Sequence, residues 1–336
     1  MKPMANAYPK SRIRKIVGRF GLIPLRSDPI ASFYRKNAVV RVRTASGTYA
    51  MKPFIRSNLL PSGTKEQIAA IAGYIQHLMG SGFGHMPRWL ASDSGKLWTL
   101  NQGRPFYLTE WINGRSMDNQ EDFVKLGRAL AALHSTSDRS SPIPGPFFEH
   151  IRFWQRQDRL FRARTAIAKR MKRRTREWYK RFGEACNRIS DRSWTELMDA
   201  ETIELLEKER LRPSLTHGDI TSQNVLIADD GQLFMIDWDR LKLGSVYADV
   251  AIALMNTTRF NPDFIRSLLN GYEELRPLER SERRAISSLY RLPREAWYAV
   301  RFPNRPTSRS MLRIIEQTWP LRLKAMEALD EWANRP

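Results

Sequence analysis

Four polar residues near position 220–240, namely Asp219, Asn224, Asp237 and Asp239, flank two short apolar runs. The runs "NVLIA" and "LFMID" are separated by "DDGQ", and an Asp-Gly pair is a strong signal for a hairpin turn. Such a turn brings the residues before the first strand and after the second strand to the same end. The spacing therefore predicts that Asp219, Asn224 and Asp237 converge at the open end of a hairpin.

The residue types at that end are suited to phosphate chemistry. A carboxylate and an amide oxygen are hard ligands that suit Mg²⁺ bridging phosphate oxygens. A second carboxylate, five residues before Asn224, can orient an incoming hydroxyl or accept its proton. Each acid alone also fits a turn-capping role. The joint pattern H-x-D-x-x-x-x-N, followed by Ile-Asp, favours a metal and phosphate site.

A strand lysine and a helix glutamate provide an independent indication. Phosphoryl transfer needs a cation on the α- and β-phosphates, usually a lysine held by a glutamate. Lys52 lies in "GTYAMKPF", and Glu66 lies in the first turn of the next predicted helix. We expect these two residues to form an ion pair, although a strand lysine can also be a solvated surface residue.

Composition limits the kind of protein this is. With 336 residues and 42% hydrophobic side chains, the chain can form one large domain or two lobes. Its single cysteine, Cys186, allows neither an intrachain disulfide nor a cysteine metal site, and the histidines lack metal-ligand spacing. We expect no membrane span and no secretory signal. Cytoplasmic synthesis is the corresponding prediction.

The charge is unusually positive, with a net value of +21. Residues 152–181 alone hold 13 basic and two acidic side chains, a net charge of +11. This segment argues against a cationic substrate, and it fits either a solvated helix face or attraction to an anionic substrate or surface. Interleaved aromatic residues also leave open a nucleic-acid groove, although helical spacing favours a buried stripe instead. These aromatic residues are Phe153, Trp154, Phe161, Trp178 and Tyr179.

The elements that must position these residues fall into two lobes. Residues 1–110 predict a small lobe of antiparallel strands plus one main helix, and residues 111–336 predict a larger helical lobe containing the hairpin. The predicted strands are 29–33, 39–44, 48–54 and two around Gly103. The predicted helices are 11–20, 63–80, 119–135, 149–184, 194–211, 245–256, 261–272, 279–290 and 308–333. The fold class is α+β.

The order of these motifs resembles a known group. Lys52, Glu66, "HGDITSQN" (217–224) and "IDWD" (236–239) follow one another as in the aminoglycoside/choline kinase-like phosphotransferases (APH), which have a two-lobed protein-kinase-like fold. Within this group the chain looks most like the CotS family of bacterial spore-coat proteins. The landmarks are "SGTYAMKPF", "GSGFGHMPRWL", "GRPFYLTEWINGR" and "LPREAWYAVRFPNRP". The likeness covers nearly the full length.

The resemblance implies a nucleotide site in the first lobe. Lys52 would hold the α- and β-phosphates of ATP, and Glu66 would hold Lys52. Glu110, Trp111 and Ile112 would flank the adenine with backbone hydrogen bonds.

For the second lobe, the resemblance implies the catalytic groups. Asp219 would be the catalytic base and His217 would support its loop, while Asn224 and Asp237 would bind Mg²⁺. Asp249, in "YADVAIALM", resembles the acid that braces the catalytic loop, with a helix N-cap as the alternative. Asp239 is either a ligand of a second metal or a solvated acid.

The sequence departs from the protein-kinase pattern in three respects. It has no G-x-G-x-x-G, so phosphate coverage would use other groups such as Arg35 and Lys36. "IDWD" stands where protein kinases have D-F-G, as in small-molecule kinases. No activation loop with a phosphorylation site lies between Asp237 and Asp249, so we expect no regulation by phosphorylation there.

The sequence therefore predicts an ATP- and Mg²⁺-dependent phosphotransferase. Its acceptor would be a hydroxyl of a non-cationic compound, anionic or surface-bound, and its place would be the spore coat with coat proteins as partners. One alternative is a structural coat protein of kinase fold with weak or no catalysis. The other is a nucleic-acid-binding protein using the helix at 152–181.

Overall fold

The computed structural model describes residues 8–30, 39–54, 64–136, 147–167, 173–301 and 305–335. The chain forms two compact units. The first consists of Met1–Met117 with Gln223–Lys242, and the second of Asp118–Ser222 with Leu243–Pro336.

A five-stranded antiparallel sheet dominates the first unit, with the strand order β1-β2-β3-β5-β4. Its strands are β1 (Arg26–Ile30), β2 (Val39–Thr44), β3 (Gly47–Pro53), β4 (Thr99–Asn101) and β5 (Arg104–Glu110). Two helices, α1 (Lys10–Gly18) and α2 (Thr64–Gly80), belong to the same unit. In β2, Val40 and Val42 are buried, while the residues between and beside them are more accessible. This alternation is the period of two that a strand with one buried face requires.

Helix α1 forms part of the core of this unit. Ile13, Ile16 and Val17 recur at helical spacing, and all three are buried. They belong to one hydrophobic cluster with residues of β2, β3 and β5, among them Val40 and Met51. The predicted helix at 11–20 therefore forms as α1 and packs its apolar face against the sheet.

The hairpin also belongs to the first unit. Strands β8 (Val225–Ala228) and β9 (Leu233–Met235) pair antiparallel, and β6 (Gly114–Arg115) pairs with β8. A Cβ atom on Gly114 would lie 2.5 Å from the Ile227 carbonyl oxygen, so this pairing requires glycine. The hairpin thus joins the first unit, which extends to Met117, whereas the sequence-based division at 110/111 placed it in the second lobe.

Helices make up most of the second unit. They are α3 (Gln120–Ser135), α4 (Phe147–Ala166), α5 (Arg173–Trp178), α6 (Glu184–Leu197), α7 (Ala200–Leu211), α8 (Val246–Thr257), α9 (Pro262–Leu275), α10 (Arg280–Arg291), α11 (Arg294–Arg301) and α12 (Pro306–Ala333). A two-stranded sheet pairs β7 (Ser214–Thr216) with β10 (Lys242–Gly244), whose last two residues belong to this unit. Helices α3 and α9 cross closely at Gly127 and Gly271, where an added Cβ atom would overlap the backbone of the facing helix. The predicted α+β class is confirmed.

Helix boundaries in this unit differ from the sequence-based prediction, in which 194–211 was one helix; the structure divides it between the end of α6 and α7. The predicted break at 185–193 is part of α6, which continues from a π-helical turn at Tyr179–Gly183. The buried face of α6 consists largely of small residues such as Cys186, Ser190 and Ser193, so no apolar stripe announces it. Helix α11 was not predicted, because it is only eight residues long and directly follows Pro293.

The described parts of the basic segment lie on α4, on α5 and in the π-helical turn, while residues 168–172 lie outside the described residues. Trp154, Phe161, Trp178 and Tyr179 are buried, and Phe153 is exposed. The Trp178 indole N–H donates to the Leu312 carbonyl of α12 at 3.0 Å. Four of the five interleaved aromatic residues are therefore core residues rather than a platform for stacking bases. Among the described residues, no helix has the length and apolar character needed to cross a membrane.

Candidate functional site

A buried group of charged and phenolic side chains lies in the first unit. This lysine cluster consists of Lys52 on β3, Tyr107 on β5, and Asp237 and Asp239 after β9. Lys52 forms an ion pair with Asp237 and lies 3.6 Å from an Asp239 carboxylate oxygen. The Tyr107 hydroxyl donates to the other Asp239 oxygen at 2.6 Å. Lys52 and Tyr107 are paired in the register of β3 and β5, which places both on one face of the sheet.

The cluster is held together by its charges. Burial lowers the pKa of Lys52, but the attraction of Asp239 and Asp237 outweighs it, so the pKa is raised above its ordinary value. Burial, reinforced by Asp239, raises the pKa of Tyr107 well above its ordinary value. Lys52 is therefore a cation and Tyr107 a neutral hydrogen-bond donor at neutral pH.

Asp237 occupies the end of the hairpin where a metal ligand was predicted. The Ile236 N–H donates to the Asn224 carbonyl at 2.8 Å, so Asn224 and Asp237 lie at the same end of the hairpin. Asp237 adopts a left-handed backbone conformation (φ 68°, ψ 57°) that is strained for a residue other than glycine. Its side chain remains 28% exposed, unlike that of Asp239. Asp219 belongs to the second unit.

The oxygen donors at this end fit a magnesium ion. Mg²⁺ usually takes one or two protein oxygens and completes its octahedron with phosphate oxygens and water. Asn224 and the partly exposed Asp237 form such a set of oxygen donors. In the part of the chain that the structure describes, no group of three or more His, Cys, Asp or Glu residues could hold a metal ion.

The predicted ion pair between Lys52 and Glu66 is not formed. Glu66 is exposed in the first turn of α2, and the ion-pair partners of Lys52 among the described residues are Asp237 and Asp239. The two aspartates already neutralise the ammonium group inside the unit. Whether Glu66 takes part in nucleotide binding stays a prediction.

Asp239 is not a solvated acid, since only 1% of its side chain is exposed. Its carboxylate is held by Lys52 and by Tyr107, a residue that sequence reasoning missed. The signal for Tyr107 was available, because a residue opposite Lys52 in the neighbouring strand must share its face.

The segment predicted to contact adenine has a specific backbone arrangement. The Glu110 N–H donates to the Arg88 carbonyl at 2.9 Å, and the Trp111 N–H donates to the Thr48 carbonyl at 3.0 Å. Ile112 has no such backbone bond within the described chain. Of the three residues, Ile112 is therefore the one whose N–H is available to a ligand. Arg35 and Lys36, predicted to cover phosphates, lie outside the described residues.

A second buried carboxylate organises the loop around Asp219 in the second unit. Asp249 accepts the backbone N–H groups of His217 and Gly218 at 3.0 and 2.9 Å, and it pairs with His134 Nε2 at 3.2 Å. We call these four residues the aspartate brace. Asp249 is not the N-cap of α8, because that position is taken by Ser245. These are the contacts expected of an acid that holds a catalytic loop.

A chain of hydrogen bonds leads from the surface side of α9 to this brace. Arg276 donates to the Tyr272 hydroxyl at 2.8 Å, and Tyr272 lies 2.9 Å from His134 Nδ1. Burial lowers the pKa of His134, so its imidazole is neutral at pH 7. The consistent tautomer accepts from Tyr272 at Nδ1 and donates from Nε2 to Asp249. His134 and Tyr272 were missed, since a lone histidine on an amphipathic helix carries no distinguishing pattern.

Three further contacts fix the loop. The Asp219 N–H donates to His217 Nδ1 at 3.3 Å, which is the contact expected of a supporting histidine. The side-chain amide of Asn256 in α8 donates to the Ile220 carbonyl at 3.1 Å. The backbone carbonyl of Asn256 accepts a hydrogen bond from the Ser222 hydroxyl at 3.2 Å. Burial raises the pKa of Asp249, but the hydrogen bonds from His134 and from the Gly218 N–H outweigh it, so the pKa is lowered. Asp249 therefore stays ionised under the loop.

Comparison with known proteins gives consistent relatives. Residues 34–286 match the model of a family described as "Phosphotransferase enzyme family". A homoserine kinase of Xanthobacter autotrophicus is 25% identical over 269 residues, which cover 76% of this chain and 74% of the relative.

Solved structures share the fold at low sequence identity. An aminoglycoside phosphotransferase from Alicyclobacillus acidocaldarius superposes with a TM-score of 0.82 at 17% identity, covering 98% of this chain and 97% of its own. A spectinomycin phosphotransferase crystallised with ADP and spectinomycin gives a TM-score of 0.66 at 15% identity, covering 97% and 98%. A microcompartment-associated aminopropanol kinase gives 0.62 at 16% identity, covering 96% and 97%. The predicted kinase-like fold is confirmed.

Proposed function

This chain belongs to the phosphotransferase enzyme family, and from that premise we propose that it transfers the γ-phosphoryl group of ATP to a hydroxyl. The observation that carries the proposal is the lysine cluster. A strand lysine is ion-paired to Asp237, which ends a hairpin beside Asn224. Phosphotransferases of this kind need a cation for the phosphates and oxygen ligands for a metal in the same place.

Each residue of the first unit has a defined task in this proposal. Lys52, kept protonated by its acids, binds the α- and β-phosphates. Asn224 and Asp237 hold Mg²⁺, which when bound neutralises charge on the β- and γ-phosphates. The Ile112 N–H is the group we assign to the adenine. ADP, present in the spectinomycin phosphotransferase structure, supports a nucleotide as ligand.

Asp219 supplies the group that acts on the acceptor. Its carboxylate orients the acceptor hydroxyl and receives its proton as the phosphoryl group is transferred. The loop is held by His217 and, through backbone N–H groups, by Asp249. Fixing that loop removes the need to order it in each catalytic cycle.

An alcohol is the acceptor class that the relatives support. Homoserine and aminopropanol, in the names of two similar proteins, both carry a hydroxyl. The +11 charge of residues 152–181 supports an acceptor that is not a simple cation.

Association with the spore coat is the finer part of this proposal, and it rests on the sequence landmarks of the CotS resemblance. Imaging of a fluorescently tagged chain in its sporulating host tests it. A tag that stays in the mother-cell cytoplasm throughout would contradict the association.

Binding of Mg²⁺-ATP measured by calorimetry tests the enzymatic proposal. We expect the wild type to bind ATP only with Mg²⁺ present, and Asp237→Ala to lose the Mg²⁺-dependent part. Asp229→Ala is the matched control, since Asp229 is an exposed acid at the turn end of the same hairpin. A folded wild type without Mg²⁺-dependent binding would overturn the proposal and favour a structural coat protein.

A further inference from the structure

A pocket in the second unit combines apolar walls with three arginines. It is formed mainly by residues of α6, α8, α10, α11 and α12, and its cavity volume is about 30 Å³. Cys186, Met255 and Trp319 contribute apolar surface, and the arginines of the lining are Arg291, Arg294 and Arg322. We call this the arginine pocket.

Arg294 forms no ion pair among the described residues, and the adjacent Glu295 carboxylate, which attracts it, is already paired with Arg322. Its Nη2 lies 3.8 Å from the Met255 sulfur, and its guanidinium lies 5.0 Å from the centre of the Trp154 ring. Its Nε is buried without a hydrogen-bond partner. Burial lowers the pKa of Arg294 to about 10, so the group is still a cation at neutral pH. A desolvated guanidinium without an anion carries an unfavourable free energy that a bound anion would relieve.

Arg322 is the second cation of the pocket, and its charge is already balanced. It forms an ion pair with Glu295 at 2.5 Å, and its Nε donates to the Thr318 hydroxyl at 2.9 Å. Its guanidinium lies 4.0 Å from the centre of the Phe260 ring. Arg291, the third arginine of the pocket, is paired with Glu196 and Asp330. Arg294 is therefore the arginine of this lining that forms no ion pair within the described residues.

Hydrogen-bond donors without partners add to this charge. Besides Arg294 Nε, they are Arg291 Nε, Arg322 Nη2 and the Tyr290 hydroxyl, all buried. All four belong to residues that line the same pocket. An oxyanion offers several lone pairs, so one such group can accept from more than one donor in charge-assisted bonds.

The pocket adjoins the support of the catalytic loop. Met255, which contacts Arg294, is followed in α8 by Asn256, which holds the loop at Ile220 and Ser222. The last turn of α8 therefore connects the two features within one unit. A group bound at Arg294 of α11 would therefore lie beside the last turn of α8, the helix whose Asn256 holds the loop of Asp219.

We propose that the arginine pocket binds an oxyanionic group, a carboxylate or a phosphate, of the hydroxyl-bearing acceptor, with Arg294 as its principal partner. The identification with the acceptor rests on the proposed function, whereas anion binding by the pocket does not. Because the pocket is lined mainly by apolar side chains, we expect one small oxyanionic group to enter it and the rest of the acceptor to remain outside.

Arginine-specific modification of the full-length chain tests the site directly. Phenylglyoxal labels accessible arginines, and peptide mass spectrometry reports the rate at Arg294. Sodium acetate and inorganic phosphate serve as separate probes, with sodium chloride keeping the ionic strength constant. We expect acetate, phosphate or both to slow labelling of Arg294 about tenfold at ten times Kd, and to leave Arg313 unaffected. Arg313 is an exposed residue of α12.

Substitution provides the second measurement. Arg294→Met keeps the aliphatic bulk and removes the charge, and Arg313→Met changes the net charge equally. We expect the effective anion to raise the Tm of the wild type and of Arg313→Met, but not that of Arg294→Met. Equal labelling of Arg294 with and without both anions overturns the proposal, and so does a Tm increase that survives in folded Arg294→Met. If Arg294→Met does not fold, the labelling of the wild type decides alone.

Mg²⁺-ATP binding in the same preparations separates the two proposals. If Arg294 is protected by an anion while Mg²⁺-ATP does not bind, the anion site stands and the phosphotransferase proposal fails. If Mg²⁺-ATP binds while neither anion protects Arg294, the phosphotransferase proposal stands and the anion site fails. The probe that protects, acetate or phosphate, identifies the oxyanion.

Discussion

The lysine cluster and the aspartate brace both surround a buried carboxylate, but they satisfy it differently. Asp239 is held by side chains, the cation of Lys52 and the hydroxyl of Tyr107, beside a partly exposed second acid, Asp237. Asp249 is held by two backbone N–H groups and a neutral histidine. Side-chain partners can exchange for a ligand, whereas backbone partners can be released only by moving the loop. The first arrangement suits binding and the second suits support.

The largest effect should come from Asp249→Asn, which breaks the brace. The side-chain NH₂ of the new asparagine would face a backbone N–H donor where the carboxylate oxygen accepts now. Such a mismatch lowers the free energy of unfolding by about 3 kcal/mol. Urea unfolding followed by tryptophan fluorescence measures this effect. We expect the midpoint to fall while the slope stays unchanged. Asp263→Asn, at an exposed acid in the first turn of α9, should change stability by less than about 0.5 kcal/mol. Equal midpoints for the two variants would contradict the comparison.

Asp237→Asn should separate binding from stability. Lys52 keeps Asp239 as a partner, so the free energy of unfolding should change by about 1 kcal/mol or less. Affinity for Mg²⁺-ATP should fall about 10- to 100-fold, because a charged metal ligand is lost. Calorimetry and urea unfolding on the same sample measure both. A variant that loses stability as severely as Asp249→Asn would show that Asp237 also acts as a support.

Tyr107→Phe should give a smaller loss. The buried Asp239 oxygen loses the hydroxyl that donates to it at 2.6 Å, which costs about 1–2 kcal/mol. Tyr49→Phe is the control in the same sheet, because the Tyr49 hydroxyl contacts only the neutral Ser46 hydroxyl in the hydrogen bonds of the described residues. Thermal unfolding of both variants provides the measurement. A larger loss for Tyr49→Phe would contradict the role given to Tyr107.

The smallest effect concerns pH. Burial lowers the pKa of folded His134 below the value of about 6.5 expected in the unfolded chain. The unfolded chain therefore binds the extra proton first as the pH falls, and stability should decrease from pH 6.5 downward. His134→Gln should show a shallower decrease between pH 7 and pH 5 in urea unfolding. Identical slopes of stability against pH in the wild type and in His134→Gln would show that His134 does not cause the decrease.

What the sequence predicted, and what it did not, follows from how local the signals are. Asn224 and Asp237 could be placed at one end of a hairpin because an Asp-Gly turn lies between them. The sequence identified Lys52 as a candidate phosphate-binding residue from its place in a strand, but it did not identify the ion-pair partners of Lys52. Glu66 was chosen for its spacing, whereas the structure pairs Lys52 with two acids about 185 residues away along the chain.

Sequence analysis missed His134 and the place of the hairpin for the same reason. His134 contacts Asp249 across 115 positions of sequence, and no pattern around "ALHSTS" indicates it. The hairpin is joined to the first unit by pairing of β8 with β6 and by contacts such as the Met235 N–H to the His85 carbonyl, and neither a two-residue strand nor such a contact gives a periodicity to detect. Long-range partners are set by packing, which a local pattern does not contain.

The discontinuous first unit has a consequence for synthesis of the chain. Its sheet is complete once Glu110 has left the ribosome, but β8, β9 and both aspartates of the lysine cluster follow more than a hundred residues later. At usual elongation rates that interval is on the order of 10 s. During this time Lys52 is buried or solvated without either of its acids, and the partner strand of β6 does not yet exist. A nascent chain of this protein therefore depends on the second unit emerging promptly, and translational pausing between residues 118 and 222 should favour aggregation.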